Sequence, residues 1–236
     1  ARNAIIQLAN EKDLTKYRAA IEKNPDAINF KHTRISKGDG FDGDTALHFA
    51  SQSSNMPLLR FLLAREADVR IGNAYGDTPL HLAASKQVAL DLIAAGADVR
   101  ARGNHGLTPL HNAATAEVAE VLFDNGAKID ERDFGFGFTD DEGETPLITA
   151  ARDGRTKVVE FLISKGADVN AKARGSTALY WAAGKSPETV KVLLDHGAEV
   201  NGFKKNDSPL WNAVEDCQTE SVKLLLDAGA KATEVD

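Results

Sequence analysis

Apolar residues recur along the chain in short groups at helical spacing, and the groups come in pairs. The first group of each pair opens on a leucine, at positions 47, 80, 110, 147, 179 and 210. The second group follows at spacings of three and four residues, as in Val88, Leu92 and Ile93. Such spacing places apolar side chains on one face of an α-helix. The pattern therefore predicts repeated pairs of short helices, each buried along one face.

The same two short phrases frame every pair of groups. Thr-Pro-Leu-His or a close variant begins at residues 45, 78, 108, 145, 177 and 208. A Gly-Ala phrase closes the later units at 96, 126, 166, 197 and 229, and Glu66-Ala67 takes its place in the first. Thr or Ser before Pro is typical of a helix N-cap, and Gly of a left-handed C-cap. Each unit is therefore predicted as helix, loop, helix and then a hairpin-like finger.

These phrases resemble the ankyrin repeat family, whose period is about 33 residues with a T-P-L-H signature. The resemblance implies an all-α fold, an ankyrin-type helix-loop-helix repeat solenoid with hairpin-like fingers. It predicts a single solenoid over residues 1–236. Residues 1–43 are expected to form a degenerate N-terminal capping repeat with a long finger. The six ankyrin repeats are expected at residues 44–76, 77–106, 107–143, 144–175, 176–206 and 207–236.

The last repeat differs from a cap. Its apolar run from Val222 to Leu226 is typical of an internal repeat, whereas a terminal repeat needs a polar outer face. Two explanations stay open: the chain stops early, or this end meets another surface. Self-association through the uncapped C-terminal repeat is therefore one expectation.

The intervals between phrases locate deletions and an insertion. The distance from Ala151 to Gly166 is 15 residues, whereas Ala84 to Gly96 and the matching interval in the third repeat span only 12. The second and third repeats therefore lack about one helical turn between their helices. The third finger is longer instead, and its extra residues lie within 134–142.

Composition and charge exclude several classes of protein. The chain has 236 residues, 42% hydrophobic and 27% charged, as ordinary folded proteins have. One cysteine excludes a disulfide framework, and no apolar stretch approaches the length that membrane insertion needs. A net charge of −7 argues against a nucleic-acid partner. We expect a cytoplasmic protein, with a removed leader left open because the chain begins at Ala1.

Candidate chemistry along the chain is sparse. His48, His81 and His111 share one slot, and in the ankyrin family this residue ties the turn to the helix, so we expect structural histidines. Repeats stack about 10 Å apart, too far for these three side chains to hold one ion. Cys217 has no neighbouring histidine to act as a base, and residues 38–43 match G-x-G-x-x-G without the preceding strand. The sequence predicts no catalytic residue, no cofactor and no metal site.

The central finger is the segment most informative about binding. Residues 131–144 contain six acids and one base, a net charge of −5. Phe134, Phe136 and Phe138 alternate with glycine in the same segment. Exposed aromatic residues are typical of interface hot spots, and the acids favour a partner with a basic patch. The alternative is that the three phenylalanines pack over the gap left by the shortened repeats.

The family resemblance implies a non-catalytic module that binds a protein partner through its concave face and fingers, as an adaptor or an inhibitor. A substrate-recruiting ankyrin domain of a larger enzyme or channel is the alternative, and an enzyme is the third class, for which no constellation of residues is found. The family's variable positions carry the expected partner contacts. These contacts are Phe41, Asp42, Asp44, Gln52, Tyr75, Asp77, Asn104, His105, Leu107, Phe134, Phe136, Phe138, Glu144, Arg152, Asp153, Arg174, Lys204 and Lys205.

Overall fold

A computed structural model describes residues 14–31, 43–134, 143–201 and 208–231 of the chain. Its α-helices are α1 (Leu14–Lys23), α2 (Ala46–Gln52), α3 (Met56–Leu63), α4 (Lys86–Ala94), α5 (Ala116–Asp124), α6 (Pro146–Arg152), α7 (Thr156–Ser164), α8 (Ala178–Ala183), α9 (Pro187–Asp195), α10 (Pro209–Glu215) and α11 (Thr219–Asp227). Two 3-10 helices lie at Pro25–Asn29 and Pro79–Leu82, and a two-stranded antiparallel ribbon joins β1 (Lys172–Ala173) to β2 (Ser176–Thr177).

The helices pack in two layers, which confirms the predicted helical solenoid. The first helices α2, α6, α8 and α10 form one layer with the 3-10 helix at 79–82, and the second helices α3, α4, α5, α7, α9 and α11 form the other. The leucines of both layers meet between them. Leu80, Leu110, Leu92 and Leu122 are each at most 1% exposed, and the same slots are buried in the neighbouring repeats. A single repeat could not bury these side chains, so stacking of repeats holds the fold together.

Capping follows the sequence prediction at the start of most first helices and at the end of most second helices. Thr45 and Thr78 form capping boxes with the histidines three residues later, and the Thr145 hydroxyl accepts the N–H of Ile148. The second helices end at glycines with left-handed backbone, such as Gly96 with φ +90°. Only a residue without Cβ adopts this conformation at no steric cost. Ser208 differs, since its side chain makes no capping bond in α10.

The deletions shorten the first helices of the second and third repeats. In place of the seven residues of α2 and α6, the second repeat has the 3-10 helix at 79–82 and the third has only turns at 109–112. Ala83 is already extended, with φ −63° and ψ 110°. A helical residue advances about 1.5 Å and an extended one about 3.3 Å, so a chain with three fewer residues reaches the second helix only by unwinding. The sequence placed the loss between the helices, and the structure shows its effect on the first helix.

Neighbouring fingers are joined by backbone bonds and by arginine side chains. The N–H of Asn104 donates to the carbonyl of Tyr75 at 2.7 Å, and the N–H of Phe134 donates to that of His105 at 2.9 Å. Arg102 donates to the carbonyl of Arg132 at 2.8 Å, and Arg132 in turn to that of Lys172 at 2.7 Å. The fingers therefore form one continuous edge beside the first-helix layer.

The described part of the N-terminal repeat packs as its apolar pattern indicates. Tyr17 and Ile21 of α1 are 1% and 2% exposed, and Tyr17 meets Phe61 of α3 edge to face, with ring centres 6.2 Å apart. The apolar group at residues 4–9 lies outside the described residues. Among the helices that are described, none combines the length and the apolar character that crossing a bilayer requires.

Candidate functional site

The repeated histidines link each repeat to the next. The N–H of Thr45 donates to Nδ1 of His48 at 3.0 Å, and the same bond joins Thr78 to His81. With Nδ1 accepting, the ring proton lies on Nε2. His48 Nε2 therefore donates to the carbonyl of Asp77, 2.8 Å away in the following repeat. His81 and His111 reach the next repeat in the same way, at 3.0 and 3.1 Å.

This hydrogen bonding gives the histidines a structural role. Burial lowers the pKa of His48 to about 4, against the smaller opposing effect of its bond to the Asp77 carbonyl. Burial likewise lowers the pKa of His111 to about 4, so both rings are neutral at pH 7. Both nitrogens of each ring are engaged by protein groups, which leaves no lone pair for a metal ion. In the described residues, no group of three or more His, Cys, Asp or Glu side chains is placed to hold a metal.

The described parts of the fingers carry a row of exposed side chains. Tyr75 is 54% exposed and Phe134 is 42% exposed, with the exposed His105 on the finger between them. Gly106, at φ +78°, lets the backbone of Phe134 approach, because a Cβ there would lie 2.6 Å from the Phe134 nitrogen. The guanidinium of Arg102 lies 5.1 Å from the centre of the Phe134 ring. Aromatic residues and arginine are each enriched at protein–protein interfaces, and here an exposed ring lies beside a guanidinium.

Two expected contact residues are buried and serve the fold instead. Asp44 is 3% exposed, and its carboxylate accepts the side-chain N–H of Asn73 at 2.9 Å. Glu144 is 8% exposed, and Arg152 donates to both of its carboxylate oxygens at 2.5 Å. Burial raises the pKa of Glu144, and the charge of Arg152 opposes this. The structure therefore corrects the sequence-based expectation at these two positions, since neither carboxylate is placed to contact a partner.

The described acids near the central finger are also engaged. Glu131 pairs with Arg102 and with Lys128, and Asp133 is 9% exposed and accepts the N–H of Glu144 at 2.8 Å. The charge of Glu131 is thus compensated by two cations, and the carboxylate of Asp133 is buried on a backbone N–H. The expected negative surface therefore depends on residues 140–142, which lie outside the described residues.

The remaining expected contacts divide into three groups. Gln52, Asn104, Asp153 and Arg174 are exposed, and Asp77, Leu107 and Arg152 are half-buried. Of the half-buried residues, Asp77 has its pKa raised by burial. Asn104 also donates from its side chain to the carbonyl of Ala74 at 2.9 Å. The other expected contacts lie outside the described residues: Phe41, Asp42, Phe136, Phe138, Lys204 and Lys205.

A cleft interrupts the first-helix layer where the two helices are shortened. This cleft, which we call the notch, has a volume of about 470 Å³ and is lined by Gln52, Leu82, Ala84, Asn112, Ala114 and Arg155 among others. Arg155 is the N-cap residue of α7, yet its side chain makes no capping bond. Its guanidinium reaches across the third repeat and donates to the carbonyls of Ala113 at 2.6 Å and His111 at 2.8 Å. An arginine where a capping residue is expected is the sequence signal for this role, which the sequence-based expectations did not include.

Large aromatic residues in the last two repeats are further positions that the sequence-based expectations did not include. Tyr180 and Trp211 occupy the histidine slot, and Trp181 follows Tyr180 in α8. Trp211 is 39% exposed, and Val214 one turn later is 50% exposed. The departure of these two positions from the histidine pattern is the signal that could have identified them.

Comparison with known proteins gives a consistent result over most of the chain. A family model for ankyrin repeats in three copies matches residues 16–103, 88–173, 132–204 and 172–236. The crystal structure of the human ASB11 ankyrin repeat domain superposes with a TM-score of 0.68 at 27% identity, covering 80% of this chain and 85% of that chain.

Curated relatives match over part of their own length. Neurogenic locus notch homolog protein 1 of Homo sapiens is 38% identical over 174 residues, which are 72% of this chain and 6% of that protein. Ankyrin repeat protein FPV244 of Fowlpox virus is 34% identical over 94 residues, 39% of this chain and 14% of that protein. The chain therefore spans only a small part of these relatives.

Proposed function

Since the chain belongs to the ankyrin repeat family, we propose that it binds a protein partner through its concave face and fingers, as an adaptor or an inhibitor. Ankyrin repeats generally mediate protein–protein interaction and are a non-catalytic fold. The observation that carries the proposal here is the row of exposed side chains at Tyr75, His105 and Phe134 on adjoining fingers. A cytoplasmic location is part of the proposal, because the single cysteine requires no oxidising compartment.

The proposed partner carries a basic patch opposite the central finger. Residues 131–144 bear a formal net charge of −5, and the acids at 140, 141 and 142 follow Phe134 in the sequence. Opposite charges speed association and make it sensitive to salt. Neutralising Asp140, Asp141 and Glu142 should therefore slow association and flatten its salt dependence, which surface plasmon resonance at several salt concentrations would measure.

The aromatic row supplies the test of the proposal. A Tyr75→Ser, Phe134→Ser double variant should weaken the complex by about 2–4 kcal/mol, the range of interface hot spots. Leu90→Ser is the matched control, since Leu90 is 38% exposed but lies on α4 in the other layer. Partners captured from the native host should be lost with the double variant and kept with the control. Equal capture by all three proteins would refute the proposal.

A second candidate is recruitment of a substrate for a larger protein that contains these repeats. The match to human neurogenic locus notch homolog protein 1 covers 6% of that protein, so such repeats do occur as a small part of a long chain. The full-length gene separates the two: a catalytic or channel segment in the same reading frame favours recruitment, and a chain with repeats alone favours an adaptor or inhibitor.

Self-association through the last repeat is a further part of the proposal. Trp211, Val214 and Leu226 are 39%, 50% and 47% exposed, whereas Ile148 and Ala151, which match Trp211 and Val214 in the fourth repeat, are fully buried. Sedimentation velocity at rising concentration should show a dimer for the unmodified protein. A Trp211→Ser, Val214→Ser variant should sediment as a monomer. An unmodified protein that stays monomeric at high concentration would exclude this part.

A further inference from the structure

The notch is a groove of limited depth and substantial length. It spans the two shortened repeats between α2 and α6, which at about 10 Å per packed element gives roughly 20 Å. The missing helical turn gives it a depth of about 5 Å. An α-helix with its side chains is about 10–12 Å across and would not enter. An extended chain fits, and about six residues at 3.3 Å each would cover the length.

The floor and the walls of the notch differ in polarity. Alanines at 83, 84 and 114 line the floor, and Leu82 is the one larger apolar side chain in the lining. The side-chain amides of Gln52 and Asn112 stand at its walls, and neither is used in a hydrogen bond within the described chain. A carboxamide offers one acceptor and two donors, which match the N–H and C=O groups of a peptide backbone. The notch can therefore pair with an extended backbone above a floor that accepts small side chains.

The charges lining the notch cancel. Arg155 and Asp153 form an ion pair at 3.0 Å, and Arg155 is further held by the carbonyls of His111 and Ala113. His81, the only histidine in the lining, is uncharged because burial lowers its pKa. A charged occupant would lose water without gaining an opposite charge. The complementary occupant is an uncharged one.

From this shape and this charge balance, we propose that the notch binds an extended, uncharged segment of the protein partner, with small side chains facing the alanine floor. The inference rests on the proposed protein-binding function and names one class of segment that the partner must contain. It differs from the contact proposed at the fingers, which needs a basic surface. The two regions lie at opposite ends of the first helices, about 10 Å apart for a seven-residue helix.

The test fills the notch without removing any native contact. Ala114 is exposed in the groove, so Ala114→Phe blocks it, and Ala94→Phe on the exposed last residue of α4 is the matched control. The probe is a phage-displayed library of random linear decapeptides, panned on the unmodified full chain. Melting temperatures of all variants establish that each one folds. A Gln52→Ala, Asn112→Ala double variant provides a second block if Ala114→Phe fails to fold.

If the proposal is right, the peptides enriched on the unmodified chain are poor in Asp, Glu, Lys and Arg. Their binding should perturb the amide resonances of Ala84 and Ala114. Their affinity should fall at least tenfold with Ala114→Phe and stay unchanged with Ala94→Phe. The proposal is overturned if no peptide is enriched, if the enriched peptides are charged or helical, or if Ala114→Phe binds them as tightly as the unmodified chain. If the enriched peptides lose affinity only with the Tyr75→Ser, Phe134→Ser variant, they bind at the fingers. That result would refute binding at the notch and would still support the proposed protein-binding function.

Discussion

Thr78 and His81 show how one repeated phrase stabilises both a turn and a junction between repeats. The histidine ring accepts from the backbone of Thr78 and donates to the carbonyl of Leu107 in the next repeat. Thr78→Val or His81→Ala should therefore lower the free energy of unfolding by about 1–2 kcal/mol, the cost of lost capping bonds. Urea unfolding measures the change. An unchanged stability together with lost partner binding would show that this histidine belongs to the binding site.

The buried histidines also predict a pH dependence. The pKa of His48 and of His111 is about 4 in the folded protein, against about 6.5 in an unfolded chain. The unfolded state therefore binds more protons between these values, so stability is complete above pH 6.5 and falls as the pH is lowered toward 4. A shift of this size corresponds to at most about 3 kcal/mol per histidine.

Unfolding in urea at several pH values between 7 and 4.5 tests this dependence. Burial raises the pKa of Glu144, whose protonation acts in the opposite direction, so the informative comparison is with His111→Asn. That variant should be less stable at pH 7 and show a shallower loss of stability on acidification, by about one proton. A slope identical to that of the unmodified protein would contradict a neutral, buried His111.

At the scale of the helical element, Arg155 compensates for a deletion in another repeat. Its guanidinium takes the place of the missing turn by bonding two carbonyls more than 40 positions away. Arg155→Met should lower the free energy of unfolding by about 2 kcal/mol, because it leaves two buried carbonyls without a donor. Arg60→Met is the control. The Arg60 side chain is 64% exposed in its ion pair with Asp91, and exposed ion pairs contribute less than about 1 kcal/mol to the free energy of unfolding. Equal stability of the two variants would show that Arg155 is dispensable.

The elements also show what the sequence could and could not predict. The spacing of Val88, Leu92 and Ile93 and the closing Gly96 depend on contacts within one repeat, so a second helix ending there followed from local pattern alone. The arginine at an N-cap position marks Arg155 as unusual, but its partners lie in the preceding repeat and no local pattern identifies them. The unwound first helices follow from a deletion that the sequence locates, combined with a distance to the second helix that the stacked repeats set. Glu144 is a similar case. The sequence indicates an acid on a loop, whereas in the structure its carboxylate is buried against Arg152.

At the scale of the whole molecule, the notch divides an otherwise continuous stack. The second-helix layer is bridged from repeat to repeat, as by Lys86 and Glu120 at 3.1 Å and Thr156 and Thr189 at 2.7 Å. The first-helix layer lacks a full α-helix between α2 and α6. Because each repeat of a solenoid contacts only its neighbours, coupling along the stack is weakest where one layer is interrupted. The two sides of the notch are thus expected to open separately.

Native-state hydrogen exchange in rising urea measures this directly. The amides of α2 and α3 should open as one unit, at a free energy about 2 kcal/mol below that of α6 to α9, which form an uninterrupted double layer. Arg155→Met should widen this gap, because the guanidinium supplies the bonds that span the interrupted layer. Arg60→Met should leave the gap unchanged. A single opening free energy shared by all these helices, and unaffected by Arg155→Met, would show that the second-helix layer alone couples the stack.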